Sequence, residues 1–469
     1  MLRAWIVSFL TLVLVGEPAA GRAPLGASLD AALAARDLKG ARIAALVVRA
    51  SDGAVLYERE PDRPLIPASN TKVLTALGAL SAWGPSHRFV TEVRTDAALS
   101  ASGEVLHLYV RGGGDPALTS EQWWRLAADL RTLGLTRVKG DLVLDDSLFD
   151  SVRWHPGWGP VGSRAYHAPV GALNANYGAF SVHVRPGDQP GSPLGVVVDP
   201  PVGTLQVVNR GQTTPRGQPN RLRVERQAQG VGREQVVVDG SLPVGSPVKV
   251  VPRSVADPLL YAGAVLRLQL HGVGIEVDGA IRPGVAPAGA TVLHRFEGLT
   301  LAEVVQRFMK WSNNGIGETL LKGLAVRGGG AGTFAAGAAA LRGELEALGL
   351  PLGSLTLVDG SGLSYDNRAS PRLLVAALAR ARGSFDLAPE YLSALPIGGT
   401  DGTLTHRADG TGRRLRAKTG LLTRVSGLSG LVEGPDGEVV LFSVLVNGFR
   451  GSARGAMNAL DAFASALAR

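Results

Sequence analysis

The spacing of apolar and polar residues changes along this chain and divides it into three zones. In the first, "ARIAALVVRASDGAVLYERE" places two apolar runs on either side of Ser51-Asp52-Gly53, which predicts a β-hairpin. "LDAALAARDL", ahead of it, predicts a short amphipathic helix. "PLIPASNTKVLTALGAL", after it, predicts a helix started at Pro67, with Ala68, Leu74, Ala76 and Leu77 facing a core. From about residue 96 to 290 the period shortens. "GEVLHLYVRG", "GDLVLDDSLF", "AFSVHVRPG", "SPLGVVVDP" and "LRVERQAQ" read as short strands, interrupted by two helical runs, "TSEQWWRLAADLRTLG" and "VADPLLYAGAVLRLQLHG". Helical spacing returns in "TLAEVVQRFMKWSNNGIGETLLKGLAV", broken around Asn313-Asn314-Gly315, and in "GAGTFAAGAAALRGELEALGL" and "SPRLLVAALARARG". Successive strands follow to Phe449, with Pro435-Asp436-Gly437 as a turn, and "ARGAMNALDAFASALAR" closes the chain as a helix suited to packing on a sheet. Sheet segments at both ends with helices between them predict one α/β domain interrupted by a long insertion.

This pattern sets the expected organisation. Residues 22–95 and 291–469 form the two segments of a catalytic domain, and 96–290 form an inserted β-rich region of two nested domains, the second at about 191–250. Ahead of them, Arg3, an apolar run over 4–15 and the small residues Ala19, Ala20 and Gly21 read as a signal peptide cut near residue 20 or 21. The mature chain is thus expected to be exported, to the periplasm. There is no cysteine, which excludes disulfides, thiolate metal sites and a cysteine nucleophile. Histidine is sparse and forms no H-E-x-x-H pattern, which argues against a zinc hydrolase. No metal or other cofactor is called for. The net charge of +8 suits an anionic polymer or surface, yet the basic residues are scattered and form no nucleic-acid-binding module, so nucleic acid is not expected as a partner.

The basic residues carry a further signal: Arg is used at 41 positions and Lys at only seven. One of the seven, Lys72, lies three residues after Ser69, so on a helix the two side chains share a face. An amine with a lowered pKa could take the serine proton there, whereas Arg stays protonated. Alone, the spacing also fits a solvated Lys beside a helix-capping Ser. "KWSNNG" presents Ser312 and Asn314 at a polar break between apolar helices, where a plain connecting turn is the alternative. "RAKTGLL" opens a strand with Lys418 and Thr419, suited to a carboxylate, and Gly420, which leaves room for a substrate. An edge-strand Lys opposing aggregation is the alternative there.

In this order, S-x-x-K, S-x-N and K-T-G form the signature of penicillin-binding proteins and serine β-lactamases. The chain resembles the class C low-molecular-mass penicillin-binding proteins, the D-Ala-D-Ala carboxypeptidase/endopeptidases of peptidase family S13. "RGGGDPALT", "GDLVLDDSLFD", "YHAPVGAL", "VDGSGLSYDNRAS" and "LRAKTGLLTRVSGLSGLV" extend the resemblance over nearly the whole mature chain. Ser69 and Ser312 are 243 residues apart, a gap that the family's inserted domains would account for. The resemblance implies helices around an antiparallel sheet. It implies that Ser69 attacks the penultimate D-Ala carbonyl and that Lys72 is the base. Ser312 would relay protons with the help of Lys418, and Asn314 would orient the amide of the acyl substituent. Thr419 and Lys418 would hold the terminal carboxylate, and the N–H groups of Ser69 and Leu421 would form the oxyanion hole. Peptidoglycan stem peptides would be the substrate and β-lactams the inhibitors.

Asp359, Ser361 and Ser364 fall in a loop that lines the active-site region of relatives, with a tight structural turn as the equal alternative. In some relatives an acid following a Trp helps to bind a diaminopimelate side chain. Here Trp158 is followed by Gly-Pro-Val-Gly, so that recognition is altered or uses another acid such as Asp146. Gly171 stands where the family usually has Ser. A serine β-lactamase or esterase, and an inactive cell-wall-binding scaffold, are the competing functions. The long insertion argues against the former and the intact motifs against the latter. A loose membrane-surface association and the oligomeric state are left open.

Overall fold

The computed structural model describes residues 25–469, so the expected signal peptide lies outside the described residues. The two ends of the chain meet in one five-stranded antiparallel sheet. Its order is Leu415–Leu422, Val425–Glu433, Val439–Asn447, Arg42–Arg49, Val55–Arg59. Arg42 pairs with Asn447 and Arg49 with Val440, and this register joins the N-terminal hairpin to strands almost 400 residues later. Alternation then sorts the side chains between two cores. Ile43, Ala45 and Val47 face one side with Phe442 and Val444, against the helices Leu25–Leu33 and Ala453–Leu467. The closing helix docks there through Leu460 and Phe463, each fully buried and worth roughly 1.5–3 kcal/mol of apolar transfer. Ala44 and Leu46 face the other side, with Leu441 and Leu445, against a bundle of helices.

The helix Thr71–Trp83 runs through the centre of that bundle. Eleven of its thirteen residues are buried, as expected of a helix apolar on every face. Leu301–Trp311, Asn314–Arg327, Phe334–Ala347, Pro371–Arg382 and Ala388–Ala394 surround it. Thr300 and Glu303 start the first of these with a reciprocal capping box.

The inserted region departs from the expected boundaries. Its main sheet runs Ile281–Pro283, Leu142–Asp145, Leu108–Arg111, Arg88–Thr95, Thr291–Thr300. Arg88–Thr95 and Thr291–Thr300, assigned by pattern to the catalytic segments, pair with each other instead, so the insertion opens near residue 88 and closes near 300. Strand pairing outweighs local pattern here because both strands need ladder partners. Within the span expected for the nested unit, Leu205–Asn209, Glu234–Asp239 and Arg223–Ala228 form one sheet and Gln212–Thr214 pairs with Ser241–Pro243, while Gly195–Asp199 and Lys249–Ser254 flank Ala179–Arg185 in another. A single apolar core, from Val93 to Phe296, runs beneath all of this and includes the helices Ser120–Thr132 and Pro258–Gly272. Among the described residues, no helix is long and apolar enough to cross a membrane.

Candidate active site

Ser69 lies in a single tight turn, Ala68–Asn70, that leads into the central helix, whereas sequence spacing put Ser69 and Lys72 on one continuous α-helix. Ala68 takes a left-handed conformation, φ 48°, and the Thr71 hydroxyl donates to its carbonyl at 2.9 Å. This turn rests against the sheet because two glycines let it approach. A Cβ on Gly420 or on Gly427 would stand 2.5 Å from Asn70 Nδ2. Ser69 is left half-buried at the end of a buried helix.

Lys72 is fully buried. Its Nζ is 3.0 Å from Ser69 Oγ, 2.8 Å from Asn314 Oδ1 and 2.6 Å from the Ser361 carbonyl oxygen. Desolvation pushes the amine down to about 7, against the pull of the Asp359 and Glu318 carboxylates. Asn314 Nδ2 donates to the Tyr166 carbonyl at 2.9 Å, which turns Oδ1 toward Lys72.

The S-x-N segment is shaped by the meeting of two helices. Ser312 ends the helix Leu301–Trp311 in a left-handed conformation, φ 55°, and Asn313 caps the next helix by accepting from Ile316 N–H at 3.0 Å. Asn314 is therefore the first residue of the helix Asn314–Arg327, and the break falls one residue earlier than the pattern suggested. Lys418, also fully buried, donates to Ser312 Oγ at 3.0 Å and to the Thr419 carbonyl at 2.8 Å. Burial, then the charges of Lys72 and Arg407, hold it well below the usual lysine range.

Lys418 and Thr419 belong to the edge strand Leu415–Leu422. Ala417 N–H donates across the outer edge to Pro396, and the Thr419 carbonyl meets Lys418 Nζ there. Residues two apart share an edge, so Leu421 presents its N–H on this same open side. Its side chain is exposed. The Thr419 hydroxyl donates to Thr403 Oγ1 at 2.8 Å.

The remaining expected residues turn inward. Asp359, Ser361 and Ser364 are each 0 % exposed. Asp359 accepts from Gly362 N–H, Ser364 N–H and Asn367 Nδ2, each at 2.7 Å, and from Trp158 Nε1 at 3.0 Å. Ser361 serves Lys72 through its carbonyl, while its hydroxyl accepts from Leu363 N–H. Ser364 Oγ accepts from Asp366 N–H. These side chains brace the loop through its backbone N–H groups and through the Asn367 and Trp158 side chains, as in the tight-turn alternative. Asp146 is similarly engaged, with Arg153 and with Leu173 N–H at 2.9 Å, so it offers no open carboxylate for a substrate amine. Gly171 packs beside that pair.

Sequence reasoning missed Thr403, the Tyr166 carbonyl and Glu318. The first two are tertiary neighbours with no sequence signal. Glu318 had one: it stands four residues after Asn314, on the same helix face.

The description of the D-Ala-D-Ala carboxypeptidase 3 (S13) family matches residues 25–467. A D-alanyl-D-alanine carboxypeptidase of Actinomadura sp. (strain R39) is 37% identical over 457 residues, covering 94% of this chain and 84% of its own. The crystal structure of penicillin binding protein 4 (dacB) from Haemophilus influenzae superposes with a TM-score of 0.78 at 26% identity, covering 93% of this chain and 97% of that one. The same protein complexed with a β-lactam gives 0.72 at 24% identity, covering 93% and 98%.

Proposed function

Because the chain belongs to the D-Ala-D-Ala carboxypeptidase 3 (S13) family, we propose that it hydrolyses peptidoglycan stem peptides as a serine D,D-peptidase, through an acyl-enzyme on Ser69. The observation that carries the reading is the set of partners around Lys72. A neutral amine has two N–H groups and one lone pair. Asn314 Oδ1 and the Ser361 carbonyl can only accept, so they take both N–H groups. The lone pair is left to the Ser69 hydroxyl at 3.0 Å, and a downshifted amine is the base this geometry requires.

Ser69 Oγ attacks the carbonyl of the penultimate D-Ala, and its proton passes to Lys72. The carbonyl oxygen becomes an oxyanion held by the N–H groups of Ser69 and Leu421. As the tetrahedral intermediate collapses, the C–N bond breaks. The departing amine gains the proton that Lys72 took, relayed through Ser312, whose hydroxyl accepts a hydrogen bond from Lys418. Water then attacks the ester and gives a proton to Lys72; the acyl–oxygen bond breaks, Lys72 returns that proton to Ser69 Oγ, and the shortened peptide leaves as its acid. Thr419 and Lys418 receive the terminal carboxylate, whose charge favours the ammonium form of Lys418. Asn314 sits between Lys72 and the Tyr166 backbone, and orientation of the acyl substituent's amide by it is part of the proposal. Replacing D-Ala by a diaminopimelate-type amine as the leaving group changes nothing in this scheme, so crosslink cleavage is part of the proposal. So are acylation of Ser69 by β-lactams and export of the mature chain.

Intact-protein mass spectrometry with penicillin tests the reading. A long-lived one-to-one adduct, absent from Ser69→Ala, is expected. Loss of the adduct within seconds would indicate a β-lactamase, and no adduct at all would indicate a retired scaffold.

A further inference from the structure

Glu318 has no part in the scheme above, yet it is fully buried within the same group of residues. Its two carboxylate oxygens accept from consecutive backbone groups: Oε2 from Gly360 N–H and Oε1 from Ser361 N–H, both at 2.9 Å. The peptide that links these residues is also held from the other side. The Thr75 hydroxyl, one turn beyond Lys72 on the central helix, donates to the Gly360 carbonyl at 2.7 Å. Gly360 packs against the Glu318 helix so closely that a Cβ on it would stand 2.4 Å from the Gly317 carbonyl oxygen. The next carbonyl, that of Ser361, accepts from Lys72 at 2.6 Å, the shortest of the three Lys72 contacts.

We propose that Glu318 is a positioning residue for acylation, aiming the Ser361 carbonyl at Lys72 by clamping the Gly360 and Ser361 N–H groups. The inference deepens the acyl-enzyme reading and rests on it. Two charged groups face Glu318: Lys72 from the central helix and Asp359 from the loop. Burial first, and Asp359 second, push the Glu318 carboxyl upward, while the two N–H donors and Lys72 favour its ionised form.

The test is the rate constant for acylation of Ser69 by penicillin as a function of pH, in the full mature chain and in Glu318→Gln. The carboxamide keeps the shape but can accept from only one of the two N–H groups. In the wild type, acylation should fall tenfold per pH unit below about 7, where Lys72 gains its proton. In Glu318→Gln the plateau should drop ~10²-fold from misplacement. The non-covalent binding of penicillin that precedes acylation, read from the concentration dependence of the rate, should stay within about threefold of wild type, because Glu318 touches no ligand group. A wild-type plateau, or a loss carried mainly by binding, overturns the inference. If the Gln variant does not fold, Glu318→Asp decides. It is a methylene too short to span both donors, so a lowered plateau with intact binding is expected, and a wild-type plateau overturns the inference. Failure of the wild type to form the adduct would sink the Ser69 reading itself, an outcome distinct from either result with the variants.

Discussion

The catalytic bundle and the inserted region are both built around apolar cores, but they treat charge differently. In the bundle, Lys72, Lys418, Glu318 and Asp359 are all withdrawn from water within one neighbourhood. Lys72 is displaced from its ordinary titration range, with two carboxylates pulling against its burial. In the insertion, strands such as Arg88–Thr95 alternate buried and partly exposed positions, and most ion pairs lie at the surface, like Arg137 with Asp278. One of its buried acids, Glu234, is paired with Arg226 at 3.1 Å and accepts from Ala256 N–H. The lesson is that desolvated charge gathers where the proposed reaction needs a neutral amine, and that it survives there because each group has hydrogen-bond partners. The insertion keeps mostly to the rule of apolar inside and polar outside; its exceptions include Asp115, Asp145 and Glu234, and burial pushes the Asp115 carboxyl up to about 7.

Three substitutions would break or sharpen this contrast. Lys72→Arg should have the largest effect, cutting Ser69 acylation by ~10³-fold or more, since a guanidinium cannot accept the proton. Stopped-flow or mass-spectrometric acylation rates check it, and a variant within tenfold of wild type would remove Lys72 from the chemistry. Gly420→Ala comes next. The added methyl meets Asn70 Nδ2 at 2.5 Å, so the nucleophile turn must shift. The expected cost is about 1–3 kcal/mol in denaturant unfolding, with acylation slowed ~10²-fold. Wild-type kinetics in that variant would show that the turn tolerates displacement. The smallest effect should come from the insertion: Arg137→Ala removes an exposed pair and should leave the denaturant unfolding midpoint close to that of wild type, with the acylation rate unchanged. A loss of acylation there would mean that the two regions are energetically coupled, and the contrast would fail.

Much of the fold was legible because its elements declare themselves locally. The Ser51-Asp52-Gly53 hairpin, the helices at Ser120–Thr132, Pro258–Gly272 and Pro371–Arg382, and the closing helix docked on the sheet all lie where pattern placed them. Domain edges were less legible. Thr291–Thr300 belongs with Arg88–Thr95 because of hydrogen bonds between segments about 200 residues apart, and no periodicity encodes a partner. At the site, the three motifs marked Ser69, Lys72, Ser312, Asn314, Lys418 and Thr419 by residue type and order. The loop from Asp359 to Ser364 was legible either as a lining of the active-site region or as a tight turn, and its side chains are held by loop N–H groups and by Asn367 and Trp158, contacts that no sequence pattern encodes.

The sequence by itself determined which chemistry was on offer: a serine with a lysine three residues on, a second serine–asparagine pair, and a lysine–threonine strand in a chain that otherwise prefers arginine. The tertiary structure decided what that chemistry can do. Only folding buries Lys72 deeply enough to shed its proton near neutrality, and only folding brings Asn314 from 242 residues away and Ser361 from 289 residues away to occupy its N–H groups. Proton affinity depends on dielectric surroundings and on partners a few ångströms away, and both are properties of packing, not of the order of residues along the chain.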